Sequence, residues 1–227
     1  MSRTIQTSLY LIFAAVLVMS CAAPVRNLST VNYVQSTFIP STMKAAGLAM
    51  LPVVAGAGQE AYRRPMADNI SLFASEAMNS KRFILWADTM QRINDAGLTE
   101  EYQKAISAYK ETSIIDKNLI GGIGEAVGVR YLLFVNLQEY HTRPAGGSMH
   151  TTSVGAFCQV WDSRSGDVVW EGTARSEATG GEFVVITADY NEFTRVAAQG
   201  LIENLFQTKF EKPEKAKSGK PSGDSRR

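Results

Sequence analysis

Histidine and cysteine are scarce, with two of each in 227 residues. Two Cys cannot pin a disulfide-rich scaffold, and two His leave little for a histidine metal cage. A surplus of either charge is missing as well. The 23 Lys plus Arg balance 22 Asp plus Glu, so nothing points to nucleic acid as a partner. The uncharged apolar run at residues 9–19 is about half the roughly 20 residues a membrane-spanning helix needs. The hydrolase signatures G-x-S-x-G and H-E-x-x-H are also lacking. What remains is 45% hydrophobic and 20% charged, an ordinary globular balance that excludes a wholly disordered chain or a multi-span helical membrane protein.

The informative residues sit at the two ends. Arg3 precedes the run at 9–19, the arrangement of a secretion signal. The run closes in Val18-Met19-Ser20-Cys21, which resembles the bacterial lipobox. That resemblance implies cleavage after Ser20, a diacylglycerol thioether on Cys21 and an acylated new amino terminus. A thiolate is the nucleophile such chemistry requires, and two or more acyl chains anchor stably where one does not. Ala22 and Ala23 follow, not the Asp that commonly retains lipoproteins in the inner membrane, so the implied address is the outer membrane, on its periplasmic face. Cys158 is then the sole remaining thiol. Alternation along a strand places it with Val154, Ala156 and Val160, as a small buried hydrophobe.

At the other end, residues 211–227 hold six Lys or Arg, three Asp or Glu and no large apolar side chain. Such a segment cannot bury enough surface to offset the entropy of ordering, so a disordered basic tail is expected. Residues 21–43 read as a lipid-anchored tether, although Val31, Tyr33, Val34, Phe38 and Ile39 suggest that part of it packs as a strand or against the domain.

Residues 44–210 have the length of one domain. The run at 47–54 suits a buried strand, and a helix is expected over 65–80 with Pro65 in its first turn. A short strand at 82–86 precedes one helix capped by Asp88 and another capped by Thr99. A helix over 119–127 should stop at Gly128. Residues 129–140 begin apolar on both faces, as a central strand does. Alternating strands at 151–161 and 167–175 form an antiparallel hairpin, with Trp161 and Trp170 stacking across it. A helix over 188–210 closes the chain. The fold class is thus α/β (α+β), three layers with a mixed sheet of four to six strands flanked by helices.

Ile123-Gly124 before Gly128-Val129-Arg130-Tyr131-Leu132-Leu133, then Val160-Trp161-Asp162 and Gly166-Asp167-Val168-Val169-Trp170-Glu171, resemble the periplasmic α/β fold shared by three proteins. These are the curli secretion lipoprotein, the lipoprotein activator of penicillin-binding protein 1B and the amino-terminal domain of TolB. The resemblance spans about residues 46–210 and implies fold more than function.

Gly121-Gly122-Ile123-Gly124-Glu125-Ala126-Val127-Gly128 imitates a dinucleotide fingerprint. Its last glycine comes one residue late, and the strand follows the glycines instead of preceding them. Close helix packing explains it better. His141, His150 and Cys158 match no zinc spacing, and residues 143–147 between the histidines read as a mobile loop. No metal, cofactor or catalytic residue is therefore expected, and Cys21 is the one modification site. The expected function is a non-enzymatic, outer-membrane-anchored module. Its partners are membrane lipid through Cys21 and an envelope or periplasmic protein, and a homo-oligomer is also compatible. A curli-type secretion pore subunit is the alternative, although its candidate hairpins look short and absorbed by the core sheet. An envelope ligand sensor or hydrolase is the third reading.

Overall fold

The computed structural model describes residues 24–78, 82–112, 114–181 and 190–210. Cys21 and the basic tail at 211–227 lie outside them.

The central ladder is built from three long strands, β6 (Tyr131–Gly146), β7 (Met149–Asp162) and β8 (Asp167–Gly181), joined as antiparallel neighbours. On the β6 side, β3 (Leu48–Met50) and β4 (Val54–Ala55) run parallel to it, and β5 (Phe83–Ile84) lies parallel beyond β3. The apolar run at 47–54 is therefore one strand in two pieces. Pro52 falls in the gap, where it has no N–H to give a ladder. On the far side, β1 (Arg26–Asn27) and β2 (Thr30–Val34) pair antiparallel with β8. The sheet is mixed, as expected, and larger than expected.

Helices cover both faces. On one lie α1 (Pro40–Ala46), α2 (Glu60–Ala77) and α6 (Tyr190–Phe206). On the other lie α3 (Trp86–Asp95), α4 (Thr99–Thr112) and α5 (Lys117–Val127). Strand alternation divides the core accordingly. Leu133, Val135, Val154, Ala156 and Cys158 meet Met66, Ile70, Phe193 and Leu201 on the first face. Leu132, Phe134 and Trp161 meet Ile93, Tyr109, Ile120 and Ile123 on the second. Each Val, Leu, Ile, Phe or Met side chain among them contributes about 1.5–3 kcal/mol when fully removed from water, so apolar residues on both faces of the shared strands stabilise both layers. Asn69 ties α2 to α6 inside the first core, donating to Thr194 Oγ1 and Asn191 Oδ1 at 3.0 Å each.

The expected stop at Gly128 holds: it ends α5 in the left-handed region at φ 79°. The helix starts two residues earlier than expected, because Asp116 caps it by accepting from Asn118 N–H. Part of the 21–43 tether packs as a strand and against the domain, as its apolar residues suggested: residues 26–34 extend the sheet and residues 40–46 form α1. The 15-residue β8 would otherwise present an open edge, and the Val- and Tyr-rich β2 closes it. Pro65 lies inside α2, not in its first turn, and the helix tolerates one missing N–H. Trp86 and Asp88 belong to the first turn of α3, whose N-cap is Leu85; Asp88 acts there through the helix dipole instead of as a cap. Thr99 likewise starts α4, its hydroxyl turned to Asn94 Oδ1.

Candidate interaction surfaces

Gly124 is where α5 meets the turn between β7 and β8. A Cβ there would sit 2.1 Å from Ser163 Cβ and 2.2 Å from its Oγ. Within the glycine run, Gly124 is thus a close-packing position, as the reading of the run suggested.

His141, His150 and Cys158 do not converge. Residues 143–146, expected as a mobile loop, are paired strand: His150 stands opposite Pro144 and His141 opposite Ser153. Cys158 lies eight residues along β7 from His150, about 27 Å, and on the opposite face from Ser153. Burial pushes the Cys158 thiol well above its ordinary value, which keeps it protonated and unreactive. Among the described residues no group of three or more His, Cys, Asp or Glu could hold a metal. The expected Trp161–Trp170 stack is also absent. A bulge between Val160 and Trp161 sets Trp161 opposite Val168 and Trp170 opposite Val160, and the rings enter different cores.

Sequence reasoning missed a polar strip on the second face of the sheet, beyond the helices. Its members come from three strands. Ser153 Oγ donates to Glu139 Oε1 at 2.5 Å and lies 3.4 Å from His141 Nε2, while His141 Nδ1 is 3.5 Å from the same carboxylate oxygen. Arg175 Nη2 reaches Glu139 at 3.5 Å and Glu177 at 3.8 Å. Ser, His and Glu together invite a hydrolase reading, but the hydroxyl proton faces the carboxylate instead of the imidazole, and Ser153 has no exposed surface. The strip is a half-exposed array of paired charges. Its signal in the sequence was the i,i+2 spacing of Glu139 with His141 and Arg175 with Glu177.

At the same end, Tyr62, Tyr140 and Tyr190 form a cluster with ring centroids 4.1–5.2 Å apart. Tyr190 is 48% exposed. Burial and the adjacent phenols raise the Tyr62 and Tyr140 pKa values, so these two phenols stay neutral at physiological pH. A groove of about 380 Å³ opens at the carboxyl ends of β3 and β4, lined by Arg63, Tyr102 and Lys110 among others. That end is where ligands bind in open α/β sheets.

The strands also bear on the pore reading. At 14–16 residues, β6 to β8 are longer than expected and exceed the 9–11 a membrane strand needs. Yet Gln138-Glu139-Tyr140-His141-Thr142-Arg143 offers no alternating apolar band for lipid.

Fold and surfaces define an α+β domain with a mixed sheet between two helical layers. No family model matches the chain, and no curated protein does. Solved structures align with it. The PelC dodecamer of Paraburkholderia phytofirmans is 12% identical with a TM-score of 0.46, over 81% of this chain and 100% of that one. Lipoprotein GNA1162 of Neisseria meningitidis is 17% identical with a TM-score of 0.38, over 61% and 85%. The LpoB C-terminal domain of Salmonella enterica is 11% identical with a TM-score of 0.33, over 60% and 90%.

Proposed function

We propose that the chain is an outer-membrane lipoprotein, anchored through Cys21, whose periplasmic domain is a non-enzymatic module that binds an envelope protein. The lipobox-like Val18-Met19-Ser20-Cys21 supports the address. The observation that carries the binding role is the Tyr62–Tyr140–Tyr190 cluster on the first face of the sheet, with Tyr190 half exposed. Tyrosine is enriched at protein interfaces, where its ring gives a large apolar contact area at small entropic cost and its hydroxyl a polar end.

Site-specific photocrosslinking in intact cells tests it. A photoreactive phenylalanine at position 190 yields a discrete adduct with an envelope protein, and the same group at Leu72, which is 59% exposed on α2, does not. The adduct weakens on Tyr62→Ala, which removes a ring packed 5.2 Å from position 190. A smear identical at both positions contradicts the reading.

A further inference from the structure

Residues 1–59 contain no Asp or Glu; the first acid is Glu60. In the described part of this stretch up to Ala46, the charges are Arg26 and Lys44, and both are exposed. The same stretch concentrates exposed apolar side chains. Of the ten large hydrophobics left exposed among the described residues, five lie between Leu28 and Ile39: Leu28, Val31, Tyr33, Val34 and Ile39, at 41–56%. Register against β8 spreads them over both sides of the strand. Val31 and Val34 stand opposite Gly172 and Trp170, toward the first core, and Tyr33 opposite Glu171, toward the second face. The result is an apolar rim along the edge of the sheet, with a cation near each end.

The length of chain before this rim says what can cover it. Arg26 is five residues from Cys21, a reach of about 17 Å at full extension. If Cys21 carries acyl chains, β1 is held within that distance of the bilayer.

We propose that the β1–β2 rim seats on the headgroup layer of the bilayer that holds Cys21, with Arg26 and Lys44 meeting anionic phosphates. This rests on the lipid-anchored reading above. The depth is interfacial. The outer edge of β2 has backbone groups that need water or polar partners, which hydrocarbon denies them and the headgroup layer supplies. Tyr33 suits the same layer, an apolar ring with a wet end.

The test uses the full chain purified from membranes and reconstituted in vesicles of phosphatidylethanolamine and phosphatidylglycerol. Intact mass first establishes acylation; an unacylated chain overturns the anchored reading and the seating with it. Because Cys158 is buried, a fluorophore on Val34→Cys marks one site in the acylated chain. Leu85→Cys, 42% exposed at the opposite edge of the sheet, is the control. Lipids carrying a spin label at the headgroup quench the Val34 fluorophore and spare the Leu85 one. With Arg26→Gln and Lys44→Gln together, the quenching loses its dependence on the phosphatidylglycerol fraction. An acylated chain whose Val34 fluorophore is quenched by iodide but not by labelled lipid overturns the seating and leaves the anchor standing. A fluorophore shielded from both quenchers also overturns it and assigns the rim to a second copy.

Discussion

A methyl group added at Gly124 has no room. Its ideal position lies 2.1 Å from Ser163 Cβ and 3.2 Å from Val129 O, where carbon atoms rest at about 3.5–4.0 Å. Ser163 cannot easily give way, because its N–H donates to Arg130 O at 2.8 Å and its hydroxyl to Val129 O at 3.2 Å. Overpacking of this kind costs about 1–3 kcal/mol, against a helical gain of about 1 kcal/mol for Ala over Gly. Gly124→Ala should therefore destabilise the domain by up to about 2 kcal/mol, balancing those two values. Gly122→Ala, two residues away, is the internal control. Its nearest neighbour is Leu98 Cδ1 at an ordinary 3.7 Å, so it keeps the helical gain and raises stability by up to about 1 kcal/mol. Urea titration followed by circular dichroism reads both. Ser163→Gly in the Gly124→Ala background should recover part of the loss, since it removes the clashing Cβ. Equal midpoints for the two alanine variants would refute the packing argument.

Asp162→Asn should cost about 2 kcal/mol by the same titration, because a carboxylate 7% exposed loses its charge opposite Arg130, whose Nη2 lies 2.6 Å away. Gly172→Ala would push a methyl to within 2.3 Å of Trp170 Cη2 and 2.8 Å of Thr30 O. It should loosen β2 from β8, seen as faster amide exchange at Leu28 and Gln35, which now bond to Arg175 O and Val169 O. Burial pushes the Glu203 carboxyl up, but hydrogen bonds from Gln199, the Phe210 N–H and Lys209 outweigh it and hold the pKa below the ordinary value. Its contribution is present above the unfolded value of about 4.3 and is lost as pH falls through the lower folded one. Acid melts of Glu203→Gln should show a shallower pH dependence than the parent chain between those values.

How far the sequence foretold this molecule depends on the range of the forces involved. The end of α5 at Gly128 and the 162–167 hairpin rest on local chemistry and were visible, while the Asp116 cap that starts α5 was overlooked. The core assignment of Cys158 followed from alternation alone. Trp86 was misplaced because aromatic residues fit strand and helix alike, and its neighbours in space decided. The edge role of residues 26–34 depends on β8 needing a partner some 140 residues away, which no local pattern encodes. The polar strip was hidden for the same reason. Glu139, Ser153 and Arg175 become neighbours only once two hairpins adopt their register, and the bulge at Leu137/Glu139 shifts that register by one residue.

The account rests most heavily on the anchor, and intact mass spectrometry of the protein extracted from membranes tests it directly. The predicted chain begins at Cys21, carries a diacylglycerol thioether on that residue and an acyl group on its amino terminus, and retains Cys158 as a free thiol. A mature chain that starts elsewhere, or one in which Cys21 is present and unmodified, would contradict the account.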